Sequence, residues 1–141
     1  MKILILGSMS FSPEMKEIGD ELRERGHEIR LPEFIEDYLE CQSREDMHER
    51  AIENKISHNL YETYHRLIEN NDAILIVNKK KKGIEGYVGA NSLIEMAFAK
   101  ALNKRIYLLN PIPNMDYRDE ILATQPTILN GDLSLVKWAI I

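Results

Sequence analysis

The sequence predicts one α/β domain in which a five-stranded parallel sheet lies between two layers of helices. Three short apolar segments, typical of buried strands, carry this prediction: Lys2–Gly7, Asp72–Asn78 and Arg105–Asn110. Polar or amphipathic segments separate them, and alternation of this kind builds parallel sheets with helices on both faces. The length of 141 residues is close to the commonest domain size, so residues 1–141 are predicted to form a single domain.

The first half of the chain supplies one edge of this sheet. Ser12 is the predicted N-cap of the first helix, Pro13 suits its first turn and Gly26 suits its end. His27–Leu31 alternates polar and apolar residues before Pro32, which predicts a second strand with one exposed face.

The rest of the chain supplies the other elements. Residues 33–43 are predicted to form a loop or short helical turn, and 45–70 one long amphipathic helix or two joined at a kink. Asn91–Asn103 is a predicted helix with Asn91 as its N-cap. A short helix near Tyr117–Ala123, a fifth strand at Thr127–Leu129 and a final strand or helical turn complete the chain.

The predicted strand order is 2-1-3-4-5, because right-handed crossovers leave few other arrangements. This order is that of flavodoxin-like folds, which are Rossmann-like three-layer sandwiches. Ligands of such sheets bind at the carboxyl ends of the strands, where the direction of winding reverses between strands one and three. The predicted crevice there gathers Gly7, Ser8, Asn78 and residues 86–95.

Charge and composition restrict the partners and cofactors. The net charge of −5 argues against non-specific binding of a nucleic-acid polymer, which favours a basic surface. No apolar run approaches the ~20 residues of a membrane span, and Lys2–Gly7 is too short for a signal peptide. The single Cys41 lacks a partner for a disulfide or a cysteine zinc site, and the histidines show no metal-like spacing. We therefore expect a soluble, cytoplasmic protein with no membrane contact, metal or cofactor.

The turn after strand one contains Gly7, Ser8, Met9 and Ser10, all predicted to contact a ligand. Glycine lets the backbone approach closely, and the Ser8 hydroxyl with the following N–H groups suits a sugar hydroxyl or a phosphate. An ordinary strand-to-helix turn has the same composition. Similarly, the run Lys79–Lys82 indicates either a solvated loop or a cationic rim that attracts phosphate.

The helix after strand three carries the main catalytic candidate. Free N–H groups at its start favour anions, so Gly89, Asn91 and Ser92 are predicted to bind the ligand together with Asn78. Glu95 lies about one turn inside and is followed by almost wholly apolar residues. A solvated surface glutamate is the simpler interpretation, but a carboxylate in so apolar a helix indicates a function. A fixed carboxylate beside a sugar suits nucleophilic attack at an anomeric carbon.

A family resemblance rests on four segments: Ile5–Ser8, Arg25–Ile29, Asp72–Asn78 (DAILIVN) and Ser92–Lys104 (SLIEMAFAKALNK). In this order they resemble the nucleoside 2-deoxyribosyltransferase superfamily, which includes the deoxynucleoside 5′-monophosphate N-glycosidases. The resemblance implies a flavodoxin-like domain in which Glu95 attacks C1′ of the sugar and expels the base. The covalent glycosyl group then passes to water or to another base.

The resemblance also identifies positions where this chain departs from the family. The family's helix aspartate, eight residues before Asp72, is replaced by Tyr64 with His65 beside it, so either is the expected proton donor. The arginine of nucleotide-preferring members is replaced by Ser10. Gly89–Glu95 also loosely resembles the glycine-rich signature of phosphoribohydrolases that release cytokinin bases. Both resemblances imply cleavage of an N-glycosidic bond.

The expected function is therefore N-glycosidic cleavage or transfer on a (deoxy)nucleoside or (deoxy)nucleotide, by an N-glycosidase (a hydrolase) or a deoxyribosyltransferase. A non-catalytic nucleotide-binding module and a structural or partner-binding protein are the alternatives. We also expect a homodimer or larger homo-oligomer, since the long helix carries more apolar surface than one sheet face covers. The residues concerned are Met47, Ile52, Ile56, Leu60 and Tyr64.

Overall fold

The computed structural model describes residues 1–32 and 59–138, with the isolated positions 35, 49, 52 and 53. The first elements are β1 (Lys2–Gly7), a 3₁₀ turn (Met9–Phe11), α1 (Ser12–Glu24) and β2 (Glu28–Arg30). The later elements are α2 (Leu60–Glu69), β3 (Ala73–Val77), α3 (Ala90–Ala101), β4 (Arg105–Leu108), α4 (Arg118–Ala123), β5 (Thr127–Ile128) and a second 3₁₀ turn (Leu133–Leu135).

The five strands form one parallel sheet in the order β2-β1-β3-β4-β5, which confirms the predicted flavodoxin-like order. β1 pairs with β3 from Ile3 opposite Ala73 to Gly7 opposite Val77. The two central strands therefore end level with each other. Because β2 lies on one side of this pair and β4 on the other, the winding reverses here, where such sheets bind ligands.

Helices cover both faces of the sheet. Successive side chains of a strand point to opposite faces, so Ile3 and Ile5 pack with Met15 of α1. Leu6 points the other way and joins a second cluster with α2 and α3, which contains Met96. Burial on both faces explains why the central strands are almost wholly apolar. β2 is confirmed as an edge strand whose residues alternate between exposed and half-buried.

Two helix starts differ from the prediction. Phe11, not Ser12, is the N-cap of α1, because the Ser12 hydroxyl donates to a carbonyl of the preceding 3₁₀ turn. Gly89, not Asn91, is the N-cap of α3. The Asn91 side chain accepts a hydrogen bond from the Tyr61 hydroxyl at 3.5 Å instead of capping its own helix.

The predicted long helix lies only partly within the described residues, where its last part is α2. Tyr64, expected on the surface, is 9% exposed and packs against the sheet, so the expectation of exposure was wrong. Leu60 is partly buried and Ile52 is exposed, whereas Met47 and Ile56 lie outside the described residues. None of the helices in the described part of the chain is long and apolar enough to span a bilayer.

Candidate functional site

The level ends of β1 and β3 are held together by a close backbone approach. At Gly7, φ is +154° and an added Cβ would lie 2.8 Å from the Val77 carbonyl oxygen. Only glycine allows this contact without a backbone shift. Just beyond it, the Phe11 amide donates to the Ser8 carbonyl at 2.8 Å, and this bond closes the 3₁₀ turn. The turn therefore starts directly at the crevice.

Ser8, Ser10 and Lys81 form one group of contacts in the crevice, here called the serine–lysine cluster. The Ser8 and Ser10 hydroxyl oxygens are 2.9 Å apart, and Lys81 Nζ donates to Ser8 Oγ at 2.6 Å. Lys81 is half-buried, whereas Lys79, Lys80 and Lys82 are exposed. Of the lysine run, the structure therefore brings one ammonium to the predicted ligand-binding turn.

A tight turn in the loop between β3 and α3 directs Lys81 inward. The backbones of Lys81 and Ile84 exchange two hydrogen bonds, of 3.1 and 2.9 Å. Between them, Lys82 and Gly83 have φ values of +52° and +72°, the signs required by a type I′ hairpin turn. The Tyr87 amide also donates to the Lys79 carbonyl at 2.9 Å. The loop is thus ordered by its own backbone bonds.

Asn78 fixes this loop to the next one. It is fully buried, and its amide nitrogen lies 3.1 Å from the Gly86 carbonyl, 3.0 Å from the Asn110 carbonyl and 3.3 Å from the Pro111 carbonyl. Its side-chain oxygen accepts from the Asn110 backbone amide at 2.8 Å. Both ends of the side chain therefore contact protein. The predicted ligand contact of Asn78 stays a prediction, and the role visible here is to join two loops.

Tyr87 is a site residue that the sequence analysis did not select. The Nζ atoms of Lys81 and Lys82 lie over its ring, 5.6 and 5.7 Å from the centroid. The ring also lies 3.5 Å from where a Cβ of Gly89 would be, so it connects the lysine loop to the start of α3. The signal that could have identified it is an aromatic residue between two glycines, shortly after a lysine run.

Tyr117 contacts the segment between Tyr87 and the start of α3. Its hydroxyl donates to the Val88 carbonyl at 2.5 Å. Burial, followed by the nearby phenol of Tyr87, raises the pKa of Tyr117 above its usual value of 10.0. Tyr117 therefore stays a neutral hydrogen-bond donor at physiological pH and secures the segment that leads from Tyr87 into α3.

Glu95 lies on the face of α3 that meets α2. Asn91 contacts Tyr61 on this face, and the Phe98 ring packs edge-on against His65 with centroids 5.1 Å apart. Residues 91, 95 and 98 share one side of a helix, so Glu95 lies between these two contacts. Its side chain is half-buried, and the Oε2 atom is enclosed by protein.

The two candidate proton donors occupy different environments. Tyr64 is buried in the core cluster between α2 and the sheet. His65 is exposed and borders a surface depression of about 500 Å³ that also includes Tyr61, Arg66 and Phe98. Of the pair, His65 is therefore the one that contacts solvent, next to the α3 strip that carries Glu95.

A larger cavity, of about 610 Å³, lies beside the crevice between the lysine loop and residues 110–114. Ile84, Ile112 and Pro111 give it apolar walls, and Lys79 and Lys80 lie at its rim. Its volume is within the range of small-molecule pockets. The lysine loop thus borders the crevice on one side and this cavity on the other.

The predicted site residues therefore form two groups. Ser8, Ser10 and the turn of Gly7 and Met9 lie with Lys81 at the strand ends, while Glu95 and Asn91 lie on the α2-facing side of α3. Gly89 caps that helix, and Ser92 is buried in its first turn. Among the described residues, no three His, Cys, Asp or Glu side chains come close enough to hold a metal ion.

Comparison with known proteins gives no family assignment. No protein-family model matches this chain, and no curated protein matches it. The resemblance to nucleoside 2-deoxyribosyltransferases therefore stays an expectation, and the site residues themselves carry the functional proposal.

Proposed function

We propose that this protein cleaves or transfers the N-glycosidic bond of a nucleoside or nucleotide, with Glu95 as the nucleophile. The observation that carries the proposal is the position of Glu95. It is a half-buried carboxylate on α3, the helix that follows β3, and its Oε2 atom is enclosed by protein. The resemblance of residues 92–104 to the superfamily's nucleophile segment supports the same role.

The proposed reaction has two displacements at C1′. A Glu95 carboxylate oxygen forms a bond to C1′ while the C1′–N bond breaks, and its electron pair leaves with the base. The base takes a proton from His65 or Tyr64, and the transition state has oxocarbenium character that the nearby carboxylate stabilises. Water or a second base then attacks C1′ and releases the Glu95 carboxylate, and the proton that the nucleophile loses returns to the deprotonated His65 or Tyr64.

The serine–lysine cluster suits the phosphate of a nucleotide. Lys81 supplies a positive charge, and the hydroxyls of Ser8 and Ser10 are donors at hydrogen-bonding distance from each other. Hydrogen bonds from a charged donor to phosphate are roughly twice as strong as neutral ones. The same cluster favours the second candidate function, a nucleotide-binding module without catalysis.

A base-release assay on paired nucleosides and 5′-monophosphates tests the proposal. We expect release by the wild type, and a loss of at least about 100-fold, or roughly 2.7 kcal/mol of barrier, in Glu95→Gln and Glu95→Ala. Glu17→Gln, on the exposed face of α1, is the matched control and should keep the wild-type rate.

Either Glu95 variant with more than about a tenth of the wild-type rate would refute the nucleophile assignment. Nucleotide binding without any base release would instead support the binding module. His65→Gln and Tyr64→Phe then show which residue is the proton donor. Loss of the true donor should lower the release rate of poorly leaving bases more than that of easily leaving bases, and loss of the other residue should not.

Self-association belongs to the same proposal. Among the described residues of the predicted long helix, Ile52 and Tyr61 are 44% and 53% exposed, which is apolar surface for a second copy to cover. A homodimer in the cytoplasm, acting on a small nucleoside or nucleotide, therefore stays our expectation.

A further inference from the structure

We propose that Tyr87 is a positioning residue whose ring holds Lys81 against Ser8, so that the cluster is preformed for a phosphate monoester. The inference rests on the proposed function, since it takes the phosphate of a nucleotide as the bound group. Tyr87 itself touches the lysines and not the reacting atoms.

The contacts of one lysine carry the proposal. Lys81 Nζ is 2.6 Å from Ser8 Oγ and 5.6 Å from the Tyr87 ring centroid, so the ring and the hydroxyl both contact the ammonium. The type I′ turn at Lys82 and Gly83 fixes the backbone that carries it. A lysine side chain otherwise loses substantial rotamer entropy when it is ordered by a ligand. A preformed position lowers that loss on binding.

An aromatic ring suits this task better than a carboxylate. Lys80 pairs with the Glu85 carboxylate at 3.6 Å, whereas Lys81 and Lys82 lie over the ring, whose negative face attracts an ammonium without carrying net charge. Lys82 lies over the same ring at 5.7 Å, which places two cations beside the crevice. A carboxylate in the place of the ring would repel the phosphate, whereas the ring orders the lysines and leaves their attraction for it intact.

The ring contact also argues against a Ser8–Lys81 catalytic pair. In such a pair the lysine must be neutral to take the serine proton. An ammonium over an aromatic ring is stabilised in its charged form. The contact with the ring therefore favours anion binding by Lys81, and lack of labelling of Ser8 by a serine-reactive fluorophosphonate is the expected result.

The test measures the affinity of inorganic phosphate and of paired nucleosides and 5′-monophosphates, by calorimetry, in Tyr87→Phe, Tyr87→Leu and a variant with a ring-fluorinated phenylalanine at position 87. Tyr87→Phe should keep wild-type affinity. Tyr87→Leu should weaken phosphate and monophosphate binding about tenfold and leave nucleoside affinity unchanged. Fluorination keeps the shape of the ring but weakens its negative face, so the affinity should fall between the two. Lys16→Ala, an exposed lysine on α1, is the charge control.

Three results would overturn the inference: equal affinity in the phenylalanine and fluorinated variants, equal loss for nucleosides and monophosphates in Tyr87→Leu, or fluorophosphonate labelling of Ser8. A wild type that binds phosphate and monophosphates no better than nucleosides would also overturn it. Failure of the proposed function is distinct, because it appears as absent base release while the Tyr87 series still changes phosphate affinity.

Discussion

The loops after β1 and β3 both begin at the carboxyl ends of the strands, but different contacts hold their shapes. The first loop is short, and it is closed by a hydrogen bond from the Phe11 amide to the Ser8 carbonyl, three residues earlier. The second depends on Asn78, which binds Asn110, a residue 32 positions away in sequence. The hydrogen bond that closes the first loop is therefore local, whereas the second loop combines its own backbone turn with an attachment to a distant segment.

The largest expected effect is on the loop that depends on Asn78. In Asn78→Asp, a carboxylate oxygen would replace the amide donor and face the carbonyls of Gly86, Asn110 and Pro111. We expect a loss of about 3 kcal/mol in the free energy of unfolding at neutral pH, measured by urea denaturation. The loss should shrink on acidification, because a protonated carboxyl donates again.

Asn114→Asp is the control for that experiment, since Asn114 is exposed in the adjoining segment. Its effect should stay within about 0.5 kcal/mol. A similarly small effect at position 78 would mean that the second loop does not need the contacts of Asn78 with residues 110 and 111. The proposed difference between the two loops would then be wrong.

A smaller effect is expected where the first loop leaves β1. Gly7→Ala should cost about 2 kcal/mol, because its Cβ would lie 2.8 Å from the Val77 carbonyl oxygen and that backbone cannot move freely. Gly26→Ala provides the comparison, since φ there is +93° but the described residues leave the Cβ position open. It should cost about 1 kcal/mol, from backbone conformation alone. Equal costs would show that the close approach at Gly7 is not tight.

The smallest effect is expected at the amino-terminal ends of β1 and β2, away from both loops. Burial, followed by the ammonium at Met1, lowers the pKa of His27 below its usual 6.5. The unfolded chain therefore takes up this proton at a higher pH than the folded chain does. The free energy of unfolding should fall as the pH drops from 6.5 towards the pKa of the folded state, and it should level off below that pKa. His27→Gln should flatten this slope in urea denaturation, and an unchanged slope would assign it to other groups.

The fold was predictable because its signals are local and repeated. Central strands such as Ala73–Val77 are short apolar runs, and β2 alternates as an edge strand does. Parallel pairing and right-handed crossovers then leave the order 2-1-3-4-5. Helix starts were less predictable, because Ser12 and Asn91 direct their side chains to other partners than their own helix N–H groups.

The site was predictable only in part. The turn at Gly7 and Ser8 follows from strand order, since the carboxyl ends of β1 and β3 must meet. The choice of Lys81 among four lysines does not, because the turn at Lys82 and Gly83 sets which side chain points inward. The role of Tyr87 depends on the path of the same loop. The sequence shows which residues the loop contains but not that the ring meets Lys81.

The sole tryptophan of the chain, Trp138, lies beside the first residue of β4. The residue is 56% exposed, and its ring centroid lies 5.3 Å from the guanidinium carbon of Arg105. The Tyr107 hydroxyl donates to the neighbouring Lys137 carbonyl at 3.2 Å. Its fluorescence therefore reports whether the last described residues are attached to β4. Emission therefore follows the release of this segment, whereas circular dichroism follows the loss of the sheet and helices.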